Sequence, residues 1–324
     1  MTDLVDDVFS AETADKLALI EQRLADLAGA DTPFVTEAAN HIIAAGGKRF
    51  RPLLVVLASS FGGEVDVEAL VRAACVVELT HVASLYHDDV MDEADLRRGA
   101  DSANARYGNS VAIMVGDYLF ARASSTVATL GLDYVALQAE TFARLVQGQI
   151  AETRGPGNGD DALAHYLQVI ADKTGSLIST SAVFGGMVGG ATADELEALR
   201  AFGEEIGLVF QLSDDIIDIT SDATGKTPGT DLREGVATLP TLMLRASDDA
   251  ADAALVARID ADLADEAELA SVLAELRAHP VIEAARAEVN RRAELARGHL
   301  AVLPEGQAKD ALLRVCDDIA NRVS

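Results

Sequence analysis

The sequence predicts an all-α protein, a single-domain helical bundle spanning residues 1–324. Apolar residues recur at three-to-four spacing almost throughout, as at Leu17, Ile20, Leu24 and Leu27, and no period-two run marks a strand. Hydrophobic residues make up 49% of the chain while aromatics make up only 4% and tryptophan is absent, so the core must be Ala, Leu, Val and Ile, which pack helices closely. The 7 prolines, at 33, 52, 156, 228, 240, 280 and 304, fall at helix starts or in loops, where a missing N–H and a fixed φ do least damage. They punctuate about a dozen helices.

Along the chain, the Leu17–Leu27 pattern marks an opening helix, and Gly46–Pro52 reads as a glycine-bearing turn into a helix start. Val76–Asp92 and Ile206–Asp218 read as helices that are apolar on most sides, whereas Arg154–Gly159 and Thr224–Gly229 read as loops. Lys173-Thr174 interrupts an otherwise apolar helix. Beyond it, Gly175–Ala193 carries no charge over a membrane-spanning length, but it is rich in Gly, Ser and Thr and only weakly hydrophobic; it reads as a helix buried within the bundle. Asp248–Arg297, alanine-rich with mixed charge, has the composition of solvated amphipathic helices and is assigned to the outer layer. No repeat of fixed period and no long interdomain linker stands out.

The charge balance narrows the function. With 26 Lys+Arg against 53 Asp+Glu, the net charge of -27 excludes a nucleic-acid partner and disfavours an anionic membrane surface. Cys75 and Cys316 lie far apart in apolar patterns, with neither metal-ligand spacing nor a disulfide framework. Residues 1–10 are acidic and lack the basic and apolar regions of a secretory signal. A cytoplasmic protein without an integral membrane segment is the expectation.

Two aspartate clusters carry the chemistry: Asp88-Asp89-Val90-Met91-Asp92 and Asp214-Asp215-Ile216-Ile217-Asp218. In a helix, residues four apart stack on one face, so Asp88 and Asp92 form one carboxylate pair and Asp214 and Asp218 another. A lone cluster of this kind in so acidic a chain would be a solvated face. Both, however, follow long apolar stretches, and carboxylates crowded at the ends of buried helices repel one another unless cations neutralise them. Hard divalent ions with oxygen ligands answer that need, and Mg²⁺ typically combines one or two carboxylates with substrate phosphates. Zinc or copper would want His or Cys nearby, and His87 stands alone.

The few basic residues are also clustered: Lys48, Arg49 and Arg51 before a helix start, Arg97 and Arg98 just past the first aspartates, Lys173, and Lys226 after the second. Singly each is an ordinary solvated cap or snorkelling stem. Beside two carboxylate clusters, arginine forks and lysine point charges make a site for polyphosphate with metal.

Gly-Gly-Lys-Arg-Phe-Arg-Pro at 46–52, Leu-Tyr-His-Asp-Asp-Val-Met-Asp at 85–92, Arg-Arg-Gly at 97–99, Lys-Thr-Gly at 173–175 and the Gln211–Asp218 motif occur in one order. In these motifs, from Gly46 to the C-terminal helices, the chain resembles the trans-isoprenyl diphosphate synthases, the polyprenyl synthetase family. The resemblance implies a helical bundle with a central elongation cavity, the clusters facing each other across its mouth, and a homodimer. It implies that Asp88 and Asp92 bind two Mg²⁺ on an allylic diphosphate and that Asp214, supported by Asp215 and Asp218, binds a further one, about three in all. Arg97, Lys173, Thr174, Gln211 and Lys226 would hold that diphosphate, such as farnesyl or geranylgeranyl diphosphate. Lys48, Arg51, His81 and Arg98 would bind isopentenyl diphosphate. Asp88, Asp92, Lys173 and Asp214 are the expected catalytic residues. In one departure, the lysine that many relatives carry after Glu-Gly is here Val236.

The resemblance also addresses product length, because relatives stop elongation at a bulky side chain four or five residues before the first cluster. Those positions are the small Ser84 and Ala83. Each helix turn rises ~5.4 Å, close to one isoprene unit, so small residues here leave room for a longer tail; the resemblance implies a long-chain product of roughly seven to ten units, of the type used for quinone side chains. Phe142 or Met187 would form the floor of the tunnel. A short-chain farnesyl or geranylgeranyl synthase and a catalytically silent partner subunit are the alternatives. A terpene cyclase would lack the second cluster and the Gly47–Arg51 motif.

Overall fold

The computed structural model describes residues 11–220, 228–261 and 263–323, and it is helical nearly throughout. Helix α1 (Ala11–Ala28) buries Ile20, Leu24 and Ala28 along one stripe. Helix α2 (Pro33–Ala44) starts on a proline and is capped by Thr32, whose hydroxyl accepts from the Val35 N–H. Helix α3 (Phe50–Ala58) begins two residues before Pro52, which sits in the first turn where its missing N–H has no partner to lose. Helix α4 (Val67–Met91) is capped by Asp66.

A two-residue hairpin, β1 (Leu96–Arg97) with β2 (Ala100–Asp101), follows; it is too short to leave an alternating pattern in the sequence. Then come α5 (Ala103–Tyr107), α6 (Asn109–Val127), α7 (Leu132–Arg154) and α8 (Ala162–Ile170). A π-helix (Ala171–Gly175) joins α8 to α9 (Ser176–Gly189). The remainder is α10 (Ala193–Thr220), α11 (Thr230–Arg233), α12 (Leu239–Arg245), α13 (Ala250–Ile259), α14 (Glu266–Ala278), α15 (Pro280–His299), a 3₁₀ turn (Leu300–Val302) and α16 (Gln307–Asn321).

The chain forms two compact units, each drawing on separated segments. The first comprises residues up to Ala143 with Leu177–Gly203 and Val302–Ala311. Its centre is α4, which packs on α6, α3 and α1. Glycine lets α9 approach α3 closely there: a Cβ on Gly185 would lie 2.7 Å from that of Ala58. The second unit comprises Arg144–Ser176, Glu204–Ala301 and the chain from Leu312 onward. In it α12 packs on α15 and α13, burying Leu239, Leu242, Val289 and Ala293.

The uncharged stretch is a buried helix as expected, but it ends at Gly189, followed by the left-handed Gly190 (φ 76). Among the described residues it is α4 that is long and apolar enough to cross a membrane, and 78% of its apolar window is buried inside the protein. The helices of the Asp248–Arg297 region are amphipathic, with Leu255, Ile259, Leu269, Val272 and Leu276 buried and the charged faces exposed. Burial pushes the thiols of Cys75 and Cys316 up to about 12, so both are inert core residues.

Candidate functional site

In the first unit, α4 carries the first cluster to its C-terminal end. The helix stops at Met91, and Asp92 forms its C-cap with its N–H on the Asp88 carbonyl at 2.8 Å. Asp88 is half-buried and Asp92 exposed, while Asp89 between them is fully buried. Arg97 Nε donates to Asp89 Oδ1 at 2.6 Å, and Asp89 Oδ2 is buried without a hydrogen-bond partner. The hairpin explains how Arg97 and Arg98 part company. Arg98 (φ 54) and Gly99 (φ 78) both sit in the left-handed region, as a two-residue turn of this twist requires. Arg97 turns back to α4, and Arg98 donates to the carbonyls of Ile42, at 3.2 Å, and Gly46.

The loop before α3 meets Arg98. A Cβ on Gly47 would lie 2.8 Å from Arg98 Cζ, so glycine is what lets the two segments touch. Arg49, at φ 48, is tied to Glu21 at 2.6 and 2.7 Å and to the buried Glu78 at 3.0 Å. Arg51 Nε is buried without a hydrogen-bond partner, and burial lowers its guanidinium to about 10, with Glu78 opposing and Arg98 reinforcing the shift. Burial, then Arg51, Arg98, Arg97 and Arg49, holds the His81 imidazole well below its usual range. His81 thus stands in the fields of both Arg51 and Arg98, Arg51 stands in that of Arg98, and Lys48 is exposed at the edge of the same loop.

In the second unit, Lys173 and Thr174 lie in the π-helix rather than in an ordinary α-helix. Extra width there is made possible by two glycines: a Cβ on Gly148 would lie 2.6 Å from Lys173 N, and one on Gly207 would lie 2.6 Å from Gly175 Cα. Arg144 fastens the segment, donating to Asp172 at 2.9 Å and to Glu204 at 2.6 and 3.1 Å. Lys173 pairs with Glu152.

Helix α10 carries the second cluster, and again its second aspartate points inward. Asp215 accepts from the Tyr166 hydroxyl, from the Leu239 N–H at 3.0 Å and from Gln211 Nε2 at 3.4 Å. Burial raises its carboxyl to about 6 against the lowering effect of these donors. Asp214 is paired with Arg322 at 2.6 Å, whose guanidinium stacks 5.4 Å from the Phe210 ring centre. Asp218 Oδ2 accepts from the Asp231 N–H at 3.2 Å. Lys226 lies outside the described residues. Val236 is exposed, its N–H on the Asp231 carbonyl at 2.8 Å.

The donors on offer to a metal are carboxylate oxygens. His87, the one imidazole beside a cluster, is engaged with the Ile113 carbonyl at 3.1 Å and Asp117 at 3.3 Å. Among the described residues no three His, Cys, Asp or Glu side chains form a ready-made metal cage. Sparse oxygen donors of this kind fit a hard divalent ion that keeps water and takes its remaining ligands from phosphate.

Of the residues expected to set product length, Ala83 is fully buried, and Ser84 returns its hydroxyl to the His81 carbonyl at 2.8 Å. Phe142, half-buried on α7, stacks 4.4 Å from Phe120, whose ring lies 5.5 Å from that of His87. Met187 is half-buried on α9. Sequence reasoning placed Arg49 in the basic cluster without a role of its own, and it missed Glu78, Tyr166 and Arg322. A lone acid inside the apolar run Val76–Leu85 was a readable signal for Glu78; Tyr166 and Arg322 have none, because their partners are 49 and 108 positions away.

A family model described as polyprenyl synthetase matches residues 32–276. A nonaprenyl diphosphate synthase of Mycobacterium tuberculosis is 45% identical over 323 residues, covering 99% of this chain and 96% of that protein. The solved geranylgeranyl pyrophosphate synthase of Corynebacterium glutamicum, complexed with calcium and isoprenyl diphosphate, is 42% identical with a TM-score of 0.88, covering 98% of both chains. A decaprenyl diphosphate synthase of Rhodobacter capsulatus is 32% identical with a TM-score of 0.87, covering 97% of this chain and 98% of its own.

Proposed function

This chain belongs to the polyprenyl synthetase family, and on that premise we propose that it condenses an allylic diphosphate with isopentenyl diphosphate, head-to-tail and trans, into a long-chain polyprenyl diphosphate. The observation that carries this reading is the shared build of the two clusters. In each, the second aspartate is buried and tied to protein donors, Asp89 to Arg97 and Asp215 to Tyr166, Gln211 and Leu239 N–H, while the first and last are more exposed. A buried anchor that fixes helix rotation and leaves flanking carboxylates toward solvent suits cation binding.

Divalent metal fits the oxygen-only donor set, and Mg²⁺ is the ion we assign, held by Asp88 and Asp92 in one cluster and by Asp214 and Asp218, with Asp215 beneath them, in the other. Bound metal supplies positive charge to the leaving diphosphate. Arg97, Lys173, Thr174, Gln211 and Lys226 hold the allylic diphosphate; Lys48, Arg51, His81 and Arg98 hold that of isopentenyl diphosphate. The allylic C–O bond breaks with its electron pair on the departing pyrophosphate. The alkene of the second substrate forms the new C–C bond, and the proton lost beside the resulting cation goes to pyrophosphate. No side-chain nucleophile is needed.

The whole chain, 1–324, acts as one cytoplasmic catalytic domain. A homodimer is supported by the large apolar residues Ile113 and Met114, which α6 of the first unit leaves exposed. The long-chain reading accords with the nonaprenyl and decaprenyl synthases; the 42% identity to a geranylgeranyl synthase keeps a shorter product as the second reading. Incubation with Mg²⁺, farnesyl diphosphate and isopentenyl diphosphate, followed by chromatographic sizing, separates them. Products no longer than geranylgeranyl would establish the short-chain reading, and absence of both pyrophosphate and elongated product would mean a silent subunit.

A further inference from the structure

The basic cluster of the first unit contains an acid that the proposed reaction does not use. Glu78 lies inside α4, 2% exposed, and accepts from Arg49 Nη1 at 3.0 Å. Arg49 also donates twice to Glu21 and to the carbonyls of Gly46 and Ile43, at 3.2 and 2.9 Å, which commits all of its N–H groups inside the protein. It therefore has no donor left for a ligand. Its work is to hold the left-handed turn from which Arg51 enters α3.

Arg51 is the converse: its Nε is buried and unpartnered. Arg98 shares the same pocket of charge: it disfavours the charge on Arg51, and burial, then Arg49 and Arg97, disfavours its own. Such a group is costly to assemble in partial burial unless an anion is present. Glu78 acts favourably on Arg49, Arg51 and Arg98 alike.

We propose that Glu78 is a positioning residue, an internal anion that holds Arg49 in its turn and balances Arg51 and Arg98 while no diphosphate is bound. This rests on the reading of Lys48, Arg51, His81 and Arg98 as an isopentenyl diphosphate site. An internal anion stabilises the free protein and opposes an incoming one. Glu78→Gln keeps the size of the side chain and an acceptor for Arg49 while removing the charge. It lowers the stability of the ligand-free protein and at the same time tightens diphosphate binding. A purely structural role moves both the same way, toward weaker.

The test is calorimetric titration of the full chain with isopentenyl diphosphate and with inorganic pyrophosphate, without metal or allylic substrate, alongside thermal melts. Glu78→Gln is expected to melt lower when free and to bind both ligands about three- to tenfold more tightly, the scale of about 1 kcal/mol for one charge whose field is largely screened by solvent at the ligand. Its melting deficit shrinks at saturating ligand. Equal or weaker binding by a folded Glu78→Gln overturns the proposal. Failure of the wild-type protein to bind either ligand, with Arg51→Gln indistinguishable from it, removes the site reading and the proposal together. Should Glu78→Gln not fold, the charge-balanced pair Glu78→Gln with Arg98→Gln is expected to restore folding, and its failure to do so overturns the proposal.

Discussion

His81 sits among cations, and its imidazole stays neutral in the fold because burial and then Arg51, Arg98, Arg97 and Arg49 oppose a second charge. The unfolded chain takes up a proton there near 6.5, and the folded protein does so only well below that. Protons therefore favour the unfolded chain, so this contribution to stability is present above about pH 6.5 and is lost as pH falls, at no more than ~1.4 kcal/mol per pH unit. Melts of the ligand-free protein in buffers on either side of that pH should show a decline that is flatter in His81→Gln; identical slopes would assign the acid limit to other groups. The first cluster divides its labour at the same scale. Asp88→Asn removes a half-exposed carboxylate, the one proposed above to bind metal, and should lower kcat by about 100-fold or more at nearly unchanged melting temperature. Asp89→Asn weakens the buried acid that anchors Arg97, so the larger effect should be on stability, about 1–3 kcal/mol in a denaturant titration. Reversal of that pattern would place the metal-facing oxygens on Asp89.

The π-helix shows what an element owes to distant residues. The interruption at Lys173-Thr174 was visible as charge inside an apolar helix, but the widened turn was not. It depends on Gly148 and Gly207 and on the Arg144–Asp172–Glu204 network, all remote in sequence from Lys173 except Asp172. Gly207→Ala would push a Cβ to 2.6 Å from Gly175 Cα, and the backbone must give. A loss of about 1–3 kcal/mol in stability is expected, with KM for the allylic substrate raised through Lys173 and Thr174. An unchanged KM would remove those residues from the substrate site. Following α16, Arg322 makes an ion pair of 2.6 Å with Asp214. A cation bound at Asp214 has to compete with that guanidinium, so Arg322→Gln should strengthen divalent binding about two- to fivefold, the modest scale of a partly exposed pair. The reading is the metal concentration at which the melting temperature rises; no difference from wild type would make the pair incidental.

At the scale of the molecule, the all-α architecture was legible because helical periodicity survives in an aromatic-poor, alanine-rich chain, and the motifs were legible because each is contiguous. The partners that fix those motifs were not, since Glu78 with Arg49, Tyr166 with Asp215 and Arg322 with Asp214 meet only through the fold. Product length is also a property of the whole bundle. Ala83 is fully buried on α4, and two physical accounts compete for its small size. In one, a growing tail runs past it along the helix toward Leu79 and Val76. In the other, it serves close packing: a Cβ on Gly116 of α6 would lie 3.2 Å from the Ala83 carbonyl oxygen, so these helices already approach tightly here. Ala83→Phe separates them. If the tail passes this point, the enzyme still folds and elongates but stops early, its longest product shortened by about one isoprene unit for each ~5.4 Å turn that is closed off. If packing is the whole reason, the added ring strains the core by about 1–3 kcal/mol and the product distribution does not move. Chromatographic sizing beside a thermal melt reads both, and unchanged chain lengths from a folded Ala83→Phe enzyme would end the tunnel account at this position.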